Sequence, residues 1–418
     1  MHLFNPWHDL ALANFAANYT PPDSAVKMAE DLALLPVWYG EGDAVIAEGD
    51  INRSFVDDIK ETLPVASKLI SFEEIALHPH EKIMPWGWDP ALCRKLLTLG
   101  AVEEQIPTMM ELSRLREYAN RQNAVRLLCE LKNGETASCS ESHNFDLKTG
   151  EATFYGDSHN FDLKTFETAF CGESHYFTRI EELLAFLQSV PGDKVLKMPL
   201  SGSGKGLVWI LGDMTDKQTG WCRRVIRQQG GVVAEPVLHK VLDFAMEFYL
   251  DGGACRFAAY SLFHAAASGA YRGNALLSDS RIEEKLSAYV PAALLHRLRE
   301  ALSEKLVACF PLYTGYAGVD MMVCETDEGY RVQPCVEINL RMNMGMVARI
   351  FHDRYMQPGT EGQFVVDYFK KPSDALSFHQ KMQRDSPLRV ENGKIVSGYL
   401  SLTPVTADTR YMAYVVCF

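Results

Sequence analysis

The sequence predicts an α+β protein with more than one domain, and three observations support this fold class. The chain has 418 residues, which is longer than a single hydrophobic core usually supports. Hydrophobic residues make up 47% of the sequence, enough to fill several cores. Segments with helical periodicity are interspersed with short runs rich in β-branched and aromatic residues along the chain. We therefore expect helices and sheets to be mixed within each domain.

The composition limits the partners that this chain can bind. Its formal net charge is −13 at pH 7, and no basic run is long enough to bind a nucleic-acid backbone or an anionic membrane. The ten cysteines show no C-x-x-C or zinc-like spacing, which is typical of reduced thiols in the cytoplasm. No uninterrupted apolar stretch of about 18 residues is present. We expect a cytoplasmic protein without nucleic-acid or membrane partners.

Residues 1–110 are predicted to form a small N-terminal α/β domain. Short apolar runs such as "DAVIAEGD" alternate there with helix-like stretches such as "SFVDDIKETL" and "PALCRKLLTLG". The last of these closes on Gly100, a residue type that commonly follows the end of a helix. From Ser113, in a second domain at 111–360, the periodicity predicts one amphipathic helix whose arginines lie mostly away from its apolar face.

A tandem repeat occupies residues 141–172. The stretch "ESHNFDLKTGEATFYG" is followed directly by "DSHNFDLKTFETAFCG", and a third copy begins as "ESHYF". Two such short copies cannot build a solenoid core, so the repeat predicts hairpin-like strands with turns at Gly156 and Gly172. We do not predict a metal site from the recurring histidines, because each copy offers only one good ligand.

The remaining segments alternate between helix and strand patterns. "RIEELLAFLQSV" and "KQTGWCRRVIRQQGG" predict helices, whereas "KVLKMPL" predicts a strand that runs into a glycine-rich loop. "VVAEPVLHKVLDFAMEFYL" predicts a strand, a bend and a second strand. Two apolar strands joined by the acidic turn "ETDEG" predict a hairpin. Residues 361–418 are predicted to form a small β-rich appendage.

The glycine-rich loop "SGSGKG" at 201–206 does not match the common phosphate-binding motifs. A Walker A loop fails because Pro199 replaces its first glycine and Gly206 replaces its hydroxyl residue. The dinucleotide fingerprint fails because the third glycine is misplaced and the segment lies in mid-chain. Lys197 nevertheless precedes the loop in a strand, where its ammonium could meet a phosphate while backbone N–H groups wrap the others. A flexible surface loop remains the alternative.

Three hard-cation ligands follow in the predicted hairpin. Asp320 lies on its first strand, and Glu337 and Asn339 lie on its return strand. Glu337 and Asn339 are two residues apart, so their side chains project from the same face of the sheet. Two carboxylates and an amide oxygen suit Mg²⁺, which keeps its other positions for water and phosphate. Mn²⁺ is the alternative ion.

The order of these motifs resembles the ATP-grasp superfamily, over about Arg114 to Arg349. The stretch "EINLR" is similar to the E-x-N-x-R signature of biotin carboxylase, and "GVDMMV" with "VEIN" is similar to the paired strands of D-alanine–D-alanine ligase. The opening "FNPWHDLALA" resembles that of poorly characterised bacterial proteins of this superfamily. The resemblance implies that two α+β subdomains grip ATP and activate a carboxylate as its acyl phosphate.

The resemblance also implies a set of nucleotide ligands. Lys197 would contact the α-phosphate and the adenine edge. Lys205 would either add positive charge to the loop or point outward into solvent, and the sequence does not decide between these two alternatives. The first lysine of the family has no lysine counterpart here, so Arg121 is the candidate, with a solvated helix face as its alternative. The small residues expected to form a lid over the β- and γ-phosphates are Gly202, Ser203, Gly204 and Gly206.

The bend between the two later strands corresponds to the family's hinge. Pro236 has no N–H, so adenine recognition would fall to the Glu235 carbonyl and the Val237 or Leu238 backbone. Asp243 would accept hydrogen bonds from the ribose. Glu247 is the alternative candidate for that role. The structural alternative is that these acids only form the solvent-exposed face of a strand and bind nothing.

The metal set and its neighbours would carry the chemistry. Asp320, Glu337 and Asn339 would hold the cation, because buried polar groups on apolar strands are otherwise costly. Arg341 would steady the transferred phosphoryl group or the substrate carboxylate, and Arg272 would assist it. Asn274 is expected to line the pocket. Residues that could line the acceptor region are Trp7, His8, Asp9, Trp86 and Trp88.

Three functional hypotheses follow from the resemblance. The first is an ADP-forming ligase that joins a small-molecule or peptide carboxylate to an amine. The second is a small-molecule kinase that stops at a phosphorylated product. The third is a module that binds ATP without catalysis. A homodimer is the usual assembly. The acid and the amine cannot be read from the chain, because selective residues lie on variable loops.

Overall fold

The computed structural model describes residues 1–133, 169–202, 206–266 and 269–418. The predicted hairpins of the tandem repeat, apart from residues 169–172, lie outside the described residues. So do Ser203, Gly204 and Lys205 of the glycine loop. Within the described residues, no helix combines the length and the apolar character needed to cross a bilayer.

The N-terminal unit contains a small parallel sheet with the strand order β3-β2-β1-β4. Short apolar strands alternate with helices here, as the sequence predicts. Asp89 begins the last helix by accepting hydrogen bonds from the N–H groups of Ala91 and Leu92, and Pro90 suits its first turn. The elements are β1 (His2–Leu3), α1 (His8–Asn14), α2 (Asp23–Asp31), a 3₁₀ turn (Leu35–Trp38), β2 (Ala44–Ile46), α3 (Asp50–Lys60), β3 (Lys68–Ile70), β4 (Met84–Pro85) and α4 (Pro90–Thr98).

The amphipathic segment from Ser113 forms two helices instead of the one predicted. These are α5 (Met109–Tyr118) and α6 (Gln122–Asn133). The side chain of Asn120 accepts a hydrogen bond from the Gln122 N–H, a local interaction that competes with helix continuation. The N–H of Arg121 donates to the Pro199 carbonyl at 2.9 Å. The break therefore brings Arg121 to the end of the lysine strand.

A second, four-stranded antiparallel sheet carries the lysine strand and the glycine loop. Its strand order is β5-β8-β6-β7, and the loop joins β6 to β7. The Met198 N–H donates to the Gly206 carbonyl at 2.9 Å and closes the base of the loop. Two helices pack on the sheet through a core that includes Leu183, Leu196 and Val225. The elements are β5 (His175–Phe177), α7 (Ile180–Ser189), β6 (Lys194–Lys197), β7 (Leu207–Ile210), α8 (Asp216–Gln229) and β8 (Val232–Pro236).

A nine-stranded antiparallel sheet forms the centre of the molecule, in the order β13-β12-β9-β10-β11-β14-β17-β16-β15. The segment predicted as a C-terminal appendage contributes β14 to β17 to this sheet. The strands are β9 (Lys240–Asp251), β10 (Cys255–Ala265), β11 (Tyr271–Leu276), β12 (Thr314–Thr326), β13 (Gly329–Asn339), β14 (Gly362–Tyr368), β15 (Arg389–Glu391), β16 (Lys394–Ser401) and β17 (Tyr411–Cys417).

The two faces of the central sheet differ in character. On one face, Phe244, Met246 and Phe248 alternate along β9 and pack against helices of the largest core. The opposite face carries Ala245 and Glu247, so it is the face on which polar side chains collect. The associated helices are α9 (Asp279–Ser287), α10 (Ala292–Cys309), α11 (Met344–Tyr355) and α12 (Asp374–Asp385).

The N-terminal unit and the C-terminal strands share a core with α11. Phe4, Trp38, Phe351 and Val415 are buried together there. The indole N–H of Trp38 donates to the Leu402 carbonyl at 2.7 Å. This shared core fixes the N-terminal unit over the polar face of the central sheet.

Candidate nucleotide and substrate site

The predicted metal ligands lie together on the hairpin of β12 and β13. Asp320 is directly opposite Glu337 in the strand register, and the amide of Asn339 donates to Asp320 Oδ2 at 3.1 Å. Burial and the charges of Glu337 and Glu247 raise the pKa of Asp320 well above its ordinary value. A bound cation would relieve this excess of negative charge, so two carboxylates and an amide fit Mg²⁺. Among the described residues, no group of three or more His, Cys, Asp and Glu side chains forms a metal site.

Arg121 connects this hairpin to the start of the glycine loop. Its Nη1 donates to the Met198 carbonyl and to Ser201 Oγ, both at 2.7 Å. Its Nη2 donates to the Ser201 carbonyl at 3.0 Å and to Glu337 Oε1 at 2.6 Å. Arg121 is buried, and its Nε has no hydrogen-bond partner among the described residues. A buried, unused N–H donor beside the loop suits an anion.

Lys197 lies at the end of β6 and pairs with a carboxylate on the neighbouring strand. Its Nζ is 2.6 Å from Glu235 Oε2, and Ser174 Oγ donates to Glu235 Oε1 at 2.9 Å. Both charged groups are buried. Burial, together with the charges of Glu235 and Asp320, raises the pKa of Cys335 on β13. Arg121 links the two elements, because it binds both the Met198 carbonyl after β6 and Glu337 on the hairpin. Glu235 therefore has a side-chain role in addition to the backbone role predicted for it.

The hinge is the short bend between β8 and β9. The Val237 N–H is occupied by the Asp193 carbonyl at 3.0 Å, and the Leu238 carbonyl accepts from the Lys240 N–H at 2.9 Å. Pro236 has no N–H. The Val237 donor predicted for adenine is therefore engaged elsewhere, whereas the Leu238 N–H makes no hydrogen bond to the described residues.

Asp243 and Glu247 lie on the same face of β9 but in different surroundings. Asp243 is near the hinge, where Lys240 Nζ approaches its Oδ2 to 2.5 Å. Burial raises the pKa of Asp243, although Lys240 acts against this. Glu247 lies further along the strand, opposite Gly318, where it accepts a hydrogen bond from Asn343 Nδ2 at 2.7 Å. Of the two ribose candidates, only Asp243 is close to the hinge.

Arg341 binds the N-terminal unit. Its Nε and Nη2 donate to the two carboxylate oxygens of Asp9 at 3.2 and 2.9 Å. Burial favours a raised pKa for Asp9, but the charge of Arg341 and the contact with His8 outweigh it and hold this pKa well below its ordinary range. A Cβ on Gly202 would lie 2.0 Å from Asp9 Oδ2, so the glycine loop also touches this ion pair.

Gly206, at the far end of the glycine loop, is constrained by its backbone conformation. Gly206 has φ 76°, and a Cβ there would lie 2.8 Å from the sulfur of Met198. A side chain at this position is excluded by strain and by contact. Gly202 and Gly206 thus bound a loop that only small residues can form at its two ends.

A cavity of about 670 Å³ lies between the polar sheet face, the N-terminal unit and the C-terminal strands. Asp320, Glu337, Asn339 and Arg341 line one end of it. Arg272 also lines it, but its side chain is 59% exposed and pairs with Asp367 at 3.3 Å. The remainder of the wall includes Phe4, Leu10, Met28, Trp86, Glu247, Ser261, Phe263, Tyr271, Asn274, Asn343, Tyr368 and Tyr411.

The acceptor residues suggested by the sequence separate into two groups. Trp86 and Asp9 line the cavity, and His8 is buried with its Nε2 3.3 Å from Asp9 Oδ1. Trp88 instead packs against the core of the N-terminal unit, and Trp7 precedes α1. Asn274 is buried at the cavity, where its amide donates to Ser261 Oγ at 2.6 Å and its oxygen accepts from the Tyr271 hydroxyl.

Sequence reasoning missed two features of this site. The pairing of Asp9 with Arg341 joins residues from opposite parts of the chain, and the only signal for it was the "FNPWHDLALA" opening. The position of Glu247 on the cavity wall, away from the hinge, was also missed. Its place on the Asp243 face follows from strand alternation, but its distance from the hinge does not.

Comparisons with known proteins gave structural likenesses alone. No family model matches the chain, and no curated protein matches its sequence. One structural likeness is an N5-carboxyaminoimidazole synthase from Aspergillus clavatus, in complex with ADP and 5-aminoimidazole ribonucleotide. Its identity is 11%, the alignment covers 90% of this chain and 93% of that one, and the TM-score is 0.46.

Two further solved structures are similarly distant. The N5-carboxyaminoimidazole ribonucleotide synthetase from Thermus thermophilus shows 10% identity over 92% of this chain and 89% of that one, with a TM-score of 0.46. An L-amino acid ligase from Bacillus licheniformis shows 12% identity over 84% of each chain, with a TM-score of 0.41. With TM-scores below 0.5, none of these likenesses assigns a function to this chain.

The architecture itself is clear from the chain's own elements. An antiparallel sheet carries the lysine strand and the glycine loop, and a second sheet carries the acidic hairpin that faces them. The α+β fold class predicted from the sequence is confirmed.

Proposed function

We propose that this protein is an ATP-dependent, ADP-forming ligase that joins a carboxylate to an amine through an acyl phosphate. The observation that carries the proposal is the position of Arg121, which contacts the glycine loop and Glu337 at once. A triphosphate that lies along the loop would therefore end beside the hairpin carboxylates. The proposal includes a cytoplasmic location, because the cysteines that the structure describes form no disulfide bonds.

The same geometry supports a proposed set of nucleotide ligands. Lys197 would bind the α-phosphate, because an ammonium has three donors and can keep Glu235 while it binds another oxygen. The unused Nε of Arg121 would donate to a phosphate oxygen. The Leu238 N–H and the Glu235 carbonyl would hold adenine, and Asp243 would hold the ribose. Backbone N–H groups of 202–206 would cover the outer phosphates.

Asp320, Glu337 and Asn339 would hold Mg²⁺, which neutralises phosphate charge and lowers the barrier to phosphoryl transfer when it is bound. Arg341 would position the substrate carboxylate beside the γ-phosphate through the two N–H groups, one on Nη1 and one on Nη2, that its bonds to Asp9 and to the Met342 carbonyl leave unused. The N-terminal unit and Asp9 would exclude bulk water from the acyl phosphate. These residues act by positioning and charge, and no covalent protein nucleophile is needed.

A trapping experiment tests this function without knowledge of the amine. The protein is incubated with ATP, Mg²⁺, a panel of carboxylic acids and hydroxylamine, which converts an acyl phosphate into a hydroxamate. We expect hydroxamate, ADP and phosphate in equal amounts with at least one acid. Release of AMP and pyrophosphate, a stable phosphoester, or ATP binding without turnover would each contradict the proposal.

The variant Glu337→Gln tests the metal set, and Glu328→Gln is its control. Glu328 lies in the turn of the same hairpin, exposed and paired with Arg331. Loss of one charged ligand is expected to lower hydroxamate formation roughly a hundredfold or more. Equal activity in the Glu337 variant and the control would remove Glu337 from the metal set.

A further inference from the structure

Among the described residues, the cavity contains one carboxylate that has neither a role in the proposed nucleotide and metal sites nor an arginine partner. Glu247 is 2% exposed and lies on the polar face of β9. Across the strands, Gly318 separates it from Asn339, so the two side chains stand about 10 Å apart, two strand spacings. Glu247 therefore lines the same cavity as the metal set, two strands away from Asn339.

The surroundings of Glu247 are built to hold a carboxylate. One oxygen, Oε2, accepts from Asn343 Nδ2 at 2.7 Å, and the other makes no hydrogen bond to the described residues. A Cβ on Gly345 would lie 2.4 Å from Oε1, and one on Gly318 would lie 2.7 Å from Oε2. Two small residues thus leave the space that this group occupies. The titratable or charged groups that face it are Asp320, Tyr271 and Arg341.

The charge balance of the cavity points to a cationic ligand. Among the described residues, Asp9 pairs with Arg341, Asp367 pairs with Arg272, and Glu337 pairs with Arg121. Asp320 belongs to the metal set. Glu247 is the remaining carboxylate of the cavity, and no Lys, Arg or His of the described residues forms a salt bridge with it. A buried carboxylate without a cation is costly unless a ligand supplies one.

The lining of the cavity also includes a set of apolar and aromatic side chains. Phe263 and Tyr271 lie on the sheet side, and Tyr368 and Tyr411 come from the C-terminal strands. Phe4, Leu10, Met28 and Trp86 come from the N-terminal unit. A ligand whose cationic end meets Glu247 would place its other end against these side chains.

On the basis of the proposed ligase function, we propose that Glu247 binds the ammonium of the amine substrate, takes one of its protons, and thereby selects a primary amine with an apolar or aromatic substituent. Burial raises the pKa of Glu247 to about 7, against the opposing effects of Asn343 and Arg341, which suits proton exchange near neutral pH.

The step conserves protons and electrons. The carboxylate of Glu247 takes one proton from the ammonium and leaves a neutral amine. The nitrogen lone pair attacks the carbonyl carbon of the acyl phosphate, a C–N bond forms, and the C–O bond to phosphate breaks. The phosphate leaves with the electron pair of the broken C–O bond. The second nitrogen proton passes to the departing phosphate, and an amide remains.

The variant Glu247→Gln separates this role from acyl-phosphate formation. Glutamine keeps an oxygen for Asn343 but cannot take the proton. Hydroxylamine is largely neutral at neutral pH and needs no base, whereas primary amines are protonated. We expect the variant to form hydroxamate within about threefold of the parent rate but to form amide at least roughly a hundredfold more slowly with phenethylamine or isobutylamine.

Two controls make the result decisive. Glu130→Gln removes a carboxylate that pairs with Arg126 and Lys305 outside the cavity, and it should react as the parent does with every acceptor. Glycine, a small acceptor with its own carboxylate, should be a poorer amine than phenethylamine for the parent. Retained hydroxamate formation also shows that the Glu247 variant folds.

Other outcomes would overturn the inference or its basis, and they are distinguishable. Equal losses with hydroxylamine and amines would mean that Glu247 serves acyl-phosphate formation or folding. Unchanged amide formation would remove Glu247 from the step. A parent that makes hydroxamate but no amide from the apolar amines would refute the amine class. A parent that makes no hydroxamate would refute the ligase itself.

Discussion

Lys197 and Glu235 form a buried ion pair in which each residue has two possible tasks. Each charge needs the other within the small sheet, because neither is exposed to water and a lone buried charge is costly. Under the proposed function, Lys197 also binds a phosphate. The effect of the pair on stability can be measured separately from its effect on nucleotide affinity. Removal of one buried charge lowers the free energy of unfolding more than removal of both charges does.

We predict that Lys197→Met lowers the free energy of unfolding by about 3 kcal/mol, because Glu235 is left buried without its partner. The double variant Lys197→Met/Glu235→Gln should recover most of that stability but not nucleotide binding. Urea unfolding measures the first quantity, and calorimetric titration with Mg²⁺ and a non-hydrolysable ATP analogue measures the second. Analogue affinity in the double variant within twofold of the parent would exclude Lys197 as a phosphate ligand.

For single residues, the sequence predicted which side chains share a strand face better than it predicted which distant residues form pairs. Strand alternation was sufficient to place Glu337 and Asn339 on one face. The partner of Arg341 was not predictable, because Asp9 lies 332 positions away in the chain and only the tertiary fold brings them together. Arg121 was selected as the candidate for the first lysine of the ATP-grasp family, but its contact with Glu337 depends on a helix break that periodicity does not reveal.

At the scale of the element, the hairpin of β12 and β13 depends on a glycine in its first strand. Gly318 lies between Glu247 and Asn339 in the strand register. Glycine normally weakens a strand, so its presence there calls for a packing reason. The reason is the close approach of Asn343 and Glu247, whose side chains fill the space above it.

We predict that Gly318→Ala destabilises the protein by about 1–3 kcal/mol, because the new methyl group would lie 2.7 Å from both Asn343 Nδ2 and Glu247 Oε2. Gly220→Ala is the matched control. Gly220 lies inside α8, and a Cβ added there would meet no atom of the described residues within 4 Å, so the change should stabilise the helix by about 0.5–1 kcal/mol. Chemical denaturation measures both. A Gly318 variant as stable as the parent would mean that the neighbouring side chains relax freely.

Elements with strong local signals were predicted best. The acidic turn and the flanking apolar runs sufficed for the hairpin, and Gly230 ends α8 in the left-handed conformation. The prediction of a single helix from Ser113 was wrong, because the side chain of Asn120 makes a hydrogen bond that competes with helix continuation. The strands of 361–418 were predicted as strands, but their continuity with the central sheet requires pairing information that the sequence pattern lacks.

At the scale of the whole molecule, the two ends of the chain share one core. Trp38 is fully buried between Phe351 and Tyr355 and donates to the Leu402 carbonyl. We predict that Trp38→Phe lowers the free energy of unfolding by about 2 kcal/mol, from lost packing and an unpaired carbonyl. Trp209→Phe is the control, since Trp209 is 42% exposed and should change stability by less than about 0.5 kcal/mol. Equal effects in both variants would contradict a shared core.

This shared core has a consequence for synthesis of the protein. Phe4 and Trp38 leave the ribosome long before Leu402 and Val415. At roughly 5–20 residues per second, the wait lasts on the order of tens of seconds. Throughout that interval the early aromatic residues lack their final neighbours, so the nascent polypeptide should depend on chaperone shielding, and a stalled translation product should be prone to aggregate.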